Sequence, residues 1–194
     1  MDLFSDVNVS IIDYLDSGYR DALLLGRNWF REYMYGSREV SALSLYNGIE
    51  YRVLDKILIY RRFIDRDIDF IVITGCYGVV HAFEKIRSYD LAMSRSVYRV
   101  WINIGLDKII ANYVSNTSPC EVYGFFTRHS LYREIYRRAM TRQNVSRAYI
   151  VYPECIRGGF NTLRVLGETI NYLLENNSLP RRIYGCSIVV ERIR

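Results

Sequence analysis

Lysine is close to missing from this chain. Only Lys56, Lys85 and Lys108 carry it, so arginine supplies almost all of the 26 basic residues. A guanidinium fork suits phosphate and carboxylate better than an ammonium does. Glutamine occurs once, at Gln143, and this arginine-rich, glutamine-poor balance is compatible with a thermophile source. The only histidines are His81 and His129, and no catalytic triad can be read around them. The four cysteines, Cys76, Cys120, Cys155 and Cys186, form no C-x-x-C pair. A zinc site is therefore not expected, and neither a metal nor a cofactor is called for. Each cysteine falls in or beside an apolar segment, so the default is four buried, reduced thiols, with a disulfide as the exception. No leader segment and no apolar run long enough to span a bilayer is visible, which predicts a cytoplasmic chain with no membrane partner.

What is present is globular in character. Half of the 194 residues are hydrophobic, 18 are Tyr, and the net charge is a modest +5. Such a length suits one well-packed domain, here residues 1–194. The stretch Asp69–Met93 organises the chain. It opens on Phe70-Ile71-Val72-Ile73, a continuous apolar run rich in β-branched residues, which predicts a strand buried on both faces. Gly75 and Gly78 then bracket Cys76-Tyr77. Two glycines at this spacing give either a tight structural turn or a site where exposed amides approach a ligand at a strand end.

Further patterning completes a predicted order of elements. Val7–Ile12 reads as a short edge strand, Tyr19–Tyr35 and Arg38–Tyr46 as helices, and Val53–Phe63 as a helix. The central strand leads through its turn into a loop ending near Met93. Ser96–Val114 reads as one helix, Cys120–Thr127 as a strand, Ser130–Arg142 as a helix and Ala148–Tyr152 as a strand. Arg157-Gly158-Gly159 opens a last long helix to about Asn176, and Cys186–Glu191 reads as a final strand. Alternation of strand and helix predicts an α/β single domain with a mixed, mostly parallel sheet flanked by helices.

Two segments resemble a known family. Gly75-x-Tyr77-Gly78-Val79-Val80, followed by Ile86 and Tyr89-x-Leu91-x-Met93, is similar to the signature of the YaaA family of peroxide-stress proteins. The run from Ala42 through Asn47-Gly48, Tyr51 and Leu54-Asp55 resembles that family's second motif, and the likeness extends over about residues 41–175. The chain departs from the pattern at His81, where the family has Arg, at Ala82 and Ser88, where it has Pro, and at Val53, where it has Gly. The family's opening strand is not recognisable. The resemblance implies an intracellular DNA-binding protein linked to oxidative-stress protection. It also singles out Asn47, Gly48, Tyr51, Asp55, Gly75, Tyr77, Gly78 and Tyr89, with Arg157 and Gly158 from a similar stretch before the last long helix.

The residues themselves offer two chemistries. Arg133, Arg137, Arg138 and Arg142 form two rows on one predicted helix, interleaved with Tyr132 and Tyr136. Such a face suits a nucleic-acid backbone, or is a solvated helix face paired with acids. DNA is the leading expected partner. The alternative is an enzyme acting on a nucleotide or nucleobase, glycosidase- or transferase-like, in a pocket between the Asn47-Gly48 and Gly75–Gly78 motifs. Its candidate catalytic groups are Tyr77, Asp55 and His81, the last as a proton carrier partnered by Glu84 or Asp90. The two motifs are expected to meet along one wall of a cleft.

Overall fold

A computed structural model describes residues 2–143, 147–155 and 160–193. In chain order the elements are α1 (Ser17–Trp29), β1 (Met34–Ser41), α2 (Ala42–Leu45), α3 (Ile49–Val53), α4 (Lys56–Ile64), β2 (Ile71–Thr74), β3 (Gly78–His81) and β4 (Lys85–Tyr89). They continue with α5 (Arg95–Ile104), α6 (Leu106–Thr117), β5 (Val122–Phe125), α7 (Leu131–Gln143), β6 (Ala148–Glu154), α8 (Phe160–Asn176), β7 (Arg182–Ile183) and β8 (Cys186–Arg192). The fold is α/β, but its sheets are small and mostly antiparallel. β1 pairs with β4, β2 with β3, and a four-stranded sheet runs β5-β6-β8-β7. Among the described residues, only β5 and β6 pair in parallel. The mostly parallel sheet is therefore corrected.

The correction has a local cause. Gly75–Gly78 does not lead into a loop. It reverses the chain, so that Thr74 faces Gly78 and Ile71 faces His81 in an antiparallel hairpin. A turn this short cannot make the crossover that a parallel pair needs. The strand buried along its whole length is β3, not β2, in which only Val72 and Thr74 are buried. Other boundaries shift for similar reasons. Val7–Ile12 forms no strand, and its last two residues instead open a 3-10 turn, Ile11–Tyr14. Gly36, at φ +78, lies within β1, where helical spacing predicts helix on either side. Gly105, at φ +94, splits the predicted Ser96–Val114 helix into α5 and α6. Its amide caps the end of α5 by donating to the Trp101 carbonyl at 3.0 Å.

The indole of Trp101 is the centre of the larger apolar core. It is fully buried, and its Nε1–H donates to the Gly75 carbonyl at 2.7 Å. A Cβ built at Gly26 would lie 2.3 Å from the ring, and one at Gly78 would lie 2.7 Å from it. Burying an indole is worth about 5 kcal/mol by area. A second core gathers Phe4, Leu43, Leu54, Ile59, Phe83, Ile170 and Leu174. Tyr51 and Phe70 pack against both cores and mark the seam between them.

The expectation of four reduced, buried cysteines is corrected twice. Cys155 and Cys186 form a disulfide with Cα atoms 4.4 Å apart. The β6–β8 register explains it: Glu154 faces Ser187, so Cys155 falls opposite Cys186. Cys76 is a buried free thiol, whereas Cys120 is free and exposed. Burial pushes the Cys76 thiol up to about 11.

Two outcomes are expected. Gly26→Ala should destabilise the protein by about 1–3 kcal/mol through overlap with Trp101, although alanine favours a helix. Gly18→Ala, with nothing within 4 Å of the added Cβ, should not destabilise it. Urea unfolding of the two variants checks this. In thiol titration without reductant, the native protein should show one fast group, Cys120. Denaturation should bring the total to two, and reduction to four.

Candidate functional site

β2 has β3 on one edge, and β5 has β6 on one edge. Among the described residues, no strand pairs with the other edge of either. The two free edges face a common cleft of about 1450 Å³, lined by Phe70–Thr74 on one side and by Val122–Thr127 on the other. Ladder alternation fixes which backbone groups look into it. The Phe70 carbonyl accepts from Ala82 N–H, so Ile71 and Ile73 turn their amides and carbonyls away from β3. The amides of Val122 and Phe126 donate to Arg147 and Val151, so Tyr123 and Phe125 face the cleft. Leu163, Leu166 and Ile170 of α8 close one side, and Tyr136 and Met140 of α7 another. From Phe70 to Thr74 the wall spans about 13 Å.

One end of the cleft is a cluster of phenols. The Tyr46 and Tyr51 rings lie 5.0 Å apart, and Tyr46 meets Tyr89 edge-on at 6.4 Å. The Tyr89 hydroxyl donates to that of Tyr46 at 3.1 Å. The Tyr132 hydroxyl accepts from the Met93 amide at 3.3 Å. Gly48, Glu50 and Thr74 complete this end. Burial, reinforced by neighbouring phenols and by Glu50, raises the pKa values of Tyr46, Tyr51, Tyr89 and Tyr132. All four therefore stay neutral near pH 7 and can both donate and accept hydrogen bonds.

At the other end, Asp69 precedes β2 and bonds to His81 of β3. Asp69 Oδ1 lies 3.1 Å from His81 Nε2. His81 Nδ1 accepts from the Phe83 amide at 3.2 Å, which assigns the ring proton to Nε2. Burial works against ionisation of Asp69, but the bonds from His81 and Tyr113 outweigh it and lower its pKa. His81 is fully buried with both nitrogens engaged, and its carboxylate partner is Asp69 rather than Glu84 or Asp90. Glu84 serves elsewhere. It binds Arg27 at 2.7 Å and accepts from the amides of Ile11 and His81.

The structure brings together only part of what the sequence singles out. Tyr51 and Tyr89 meet through Tyr46, and Gly48 joins them on the cleft wall. Asn47 is exposed and accepts from Arg52 Nε, away from the cleft lining. Asp55 caps α4 by accepting from the Leu58 amide at 2.8 Å. Gly75 and Gly78 lie against protein, not ligand space. A Cβ at Gly75 would come within 2.4 Å of the Leu91 carbonyl, and Gly78 abuts Trp101. The Tyr77 hydroxyl is spent on the backbone of Arg87, donating to its carbonyl and accepting from its amide. Arg157 and Gly158 lie outside the described residues. Sequence reasoning passed over Tyr46, Glu50, Asp69, Thr74 and Tyr113 as site residues. For Tyr46 and Tyr113 the one signal was the excess of tyrosine, which marks no position by itself, and Glu50, Asp69 and Thr74 carried none.

The arginine rows of α7 are paired. Arg133 and Arg137 hold the two oxygens of Glu191 at 2.6 and 2.7 Å. Arg142 lies 2.6 Å and Arg138 3.7 Å from the buried Asp107 carboxylate. Arg133 also covers the Tyr152 ring at 4.6 Å. Each carboxylate thus sits between two guanidiniums, and much of the charge of this face is cancelled. Among the described residues, no helix is long and apolar enough to cross a membrane.

These pairs set an acid limit. Burial opposes ionisation of Glu191 and of Asp2, yet the arginines lower the first, and Lys85 and Ser41 lower the second. With Asp69, three carboxylates have folded pKa values below their unfolded ones. Their stabilisation is complete above about pH 4.5 and is lost as pH falls through the folded values. The urea midpoint should be flat from pH 7 to 5 and drop by pH 3. Glu191→Gln should lower it at pH 7 and shrink the acid drop.

Comparison with family models, with curated proteins and with solved structures finds no match to this chain.

Proposed function

We propose that the chain binds a nucleoside-class ligand lengthwise in the cleft between β2 and β5. The observation that carries this reading is the cleft itself: an aromatic slot at the seam of two cores, edged by free backbone groups and ended by polar clusters. Aromatic walls favour a flat base, because every base offers a π-face. Neutral phenols at Tyr46, Tyr51, Tyr89 and Tyr132 suit the hydroxyls of a sugar. Large, mostly apolar concavities with a few convergent polar groups are the usual form of small-ligand sites. The proposal is one of binding and assigns no proton transfer to His81, whose two nitrogens are already engaged.

Duplex DNA on α7, the partner implied by the YaaA resemblance, would have to compete with Glu191 and Asp107 for the same arginines. The cleft makes no such demand. Calorimetric titration with the four ribonucleosides, and separately with a duplex at low salt, distinguishes the two. Tyr51→Ala should weaken nucleoside binding about tenfold, the usual scale for losing one stacking or lining aromatic. Arg137→Ala with Arg138→Ala should leave it unchanged. Duplex binding that falls steeply with salt and is lost in the double arginine variant, with no nucleoside binding, would reverse the reading.

A further inference from the structure

The phenol end of the cleft holds two polar side chains that nothing in the described structure engages. Glu50 and Tyr51, neighbours in α3, both line it. Among the described residues, no hydrogen bond or ion pair reaches the Glu50 carboxylate, and no hydrogen bond reaches the Tyr51 hydroxyl. Glu50 is nevertheless half-buried. The basic residues nearest to it in sequence are spent elsewhere. Arg52 Nε donates to the carbonyl and side-chain oxygens of Asn47 at 3.0 and 3.1 Å. Lys56 Nζ donates to the Tyr46 carbonyl at 3.0 Å. A part-buried carboxylate without a partner costs free energy, so one kept on a cavity wall is an acceptor held ready for ligand donors.

The place of the carboxylate is built in. Gly48 has no side chain, and the acid folds over it: a Cβ there would lie 3.1 Å from Oε2 and 3.2 Å from Oε1. Behind it α3 is braced by α8, where a Cβ at Gly167 would meet the Glu50 carbonyl at 2.4 Å. Burial and then the Glu50 charge raise the pKa of Tyr51, and both act on Tyr132 in the same direction. The two phenols therefore keep their protons near pH 7. The Tyr132 oxygen accepts from the Met93 amide, which leaves its own O–H to donate. A charged acceptor thus stands beside neutral donors on one wall.

We infer that Glu50 takes the vicinal 2′,3′-diol of a ribose, with Tyr51 donating to one of its oxygens, so that the cleft selects ribonucleosides over 2′-deoxyribonucleosides. This rests on the nucleoside reading, which sets the sugar at the phenol end, and it names the substrate class of that site. The two O–H groups of a cis diol lie side by side and can both donate to one carboxylate as charge-assisted bonds. Each hydroxyl oxygen then keeps lone pairs that a phenol can fill. Dinucleotide-binding folds use an acidic side chain on the ribose 2′-hydroxyl in the same way. A 2′-deoxy sugar brings one donor where the acid takes two, and leaves a carboxylate oxygen unpaired in a part-buried place.

The test is calorimetric titration of the intact chain with the four ribonucleosides and their 2′-deoxy counterparts. A ribonucleoside that binds should do so about tenfold more tightly than its deoxy counterpart, the scale of one hydrogen bond to a charged group. Glu50→Gln should weaken the ribonucleoside and bring the ratio down to about twofold or less, with the deoxy affinity little changed. Tyr51→Phe, which keeps the ring and removes the hydroxyl, should weaken the ribonucleoside several-fold. The ratio in the parent chain is read without any variant, so the inference stays open to refutation whatever the variants do to folding. Equal affinity for ribo and deoxy forms in the parent, or a folded Glu50→Gln variant that keeps the full ratio, overturns this inference and leaves the cleft reading standing. Binding of none of these nucleosides overturns both.

Discussion

The seat of Trp101 governs the arrangement of the rest. An indole that is fully buried must have its one N–H satisfied, and here the Gly75 carbonyl does so at 2.7 Å. The ring then occupies the space that side chains at positions 26 and 78 would need. Three separate segments, α1, α5 and the β2–β3 turn, are fixed against one another by this single residue. Phe30 extends the contact with its ring 5.6 Å away. The turn so held makes β3 fold back on β2. That reversal spends one edge of β2 and leaves the other free, which is the origin of the cleft.

A buried ion pair fixes the same hairpin from its far side. Glu84 accepts from Arg27 and from the amides of Ile11 and His81, while Arg27 also donates to the carbonyls of Tyr77 and Val79. A charge pair this deep is tolerable only because further hydrogen bonds satisfy both members. It orients β3, and through β3 it places His81. His81 in turn holds Asp69 at the cleft. The polar end of the cleft is thus an extension of the fold's own buried network, and its rigidity comes from Arg27, His81 and Glu84, which do not line it.

Much of this was legible in the sequence, and the losses have physical causes. The apolar run Phe70–Ile73 was recognisable as a strand, and α4, α7, α8, β5, β6 and β8 fell close to their predicted bounds. What one chain's pattern could not give was partnership. β3 and β1 are strands because of what they pair with, and Glu39-Val40 has no local reason to be extended apart from β4. The glycines of the Gly75–Gly78 turn were visible, but whether they approach a ligand or an indole depends on Trp101, 26 residues later. The arginine rows on α7 were visible too. Their acids, Asp107 and Glu191, stand 30 and more residues away in sequence and were out of reach of any spacing rule. The cleft tyrosines were hidden for the opposite reason. In a chain with 18 of them, no single tyrosine stands out.

Unpaired strand edges are ordinarily a hazard, since they invite another chain to add itself. Here two of them look at each other across a cavity without joining, and close backbone approaches account for that. Gly124 of β5 lets Tyr136 come so near that a Cβ there would sit 2.6 Å from its ring. The Tyr136 hydroxyl lies between the carbonyls of Val122 and Tyr149, at 3.0 and 3.1 Å, and so pins β5 to β6. On the opposite flank, Gly167 lets α8 press against α3, with its Cβ position 2.4 Å from the Glu50 carbonyl. That contact sets Glu50 and Tyr51 at the cleft wall. A larger residue at 124 or 167 would push one wall toward or away from the other. The width of the cleft is therefore set by two glycines and one tyrosine. The same contacts hold the two strand edges apart, so the cleft is kept open by how its walls are braced from behind.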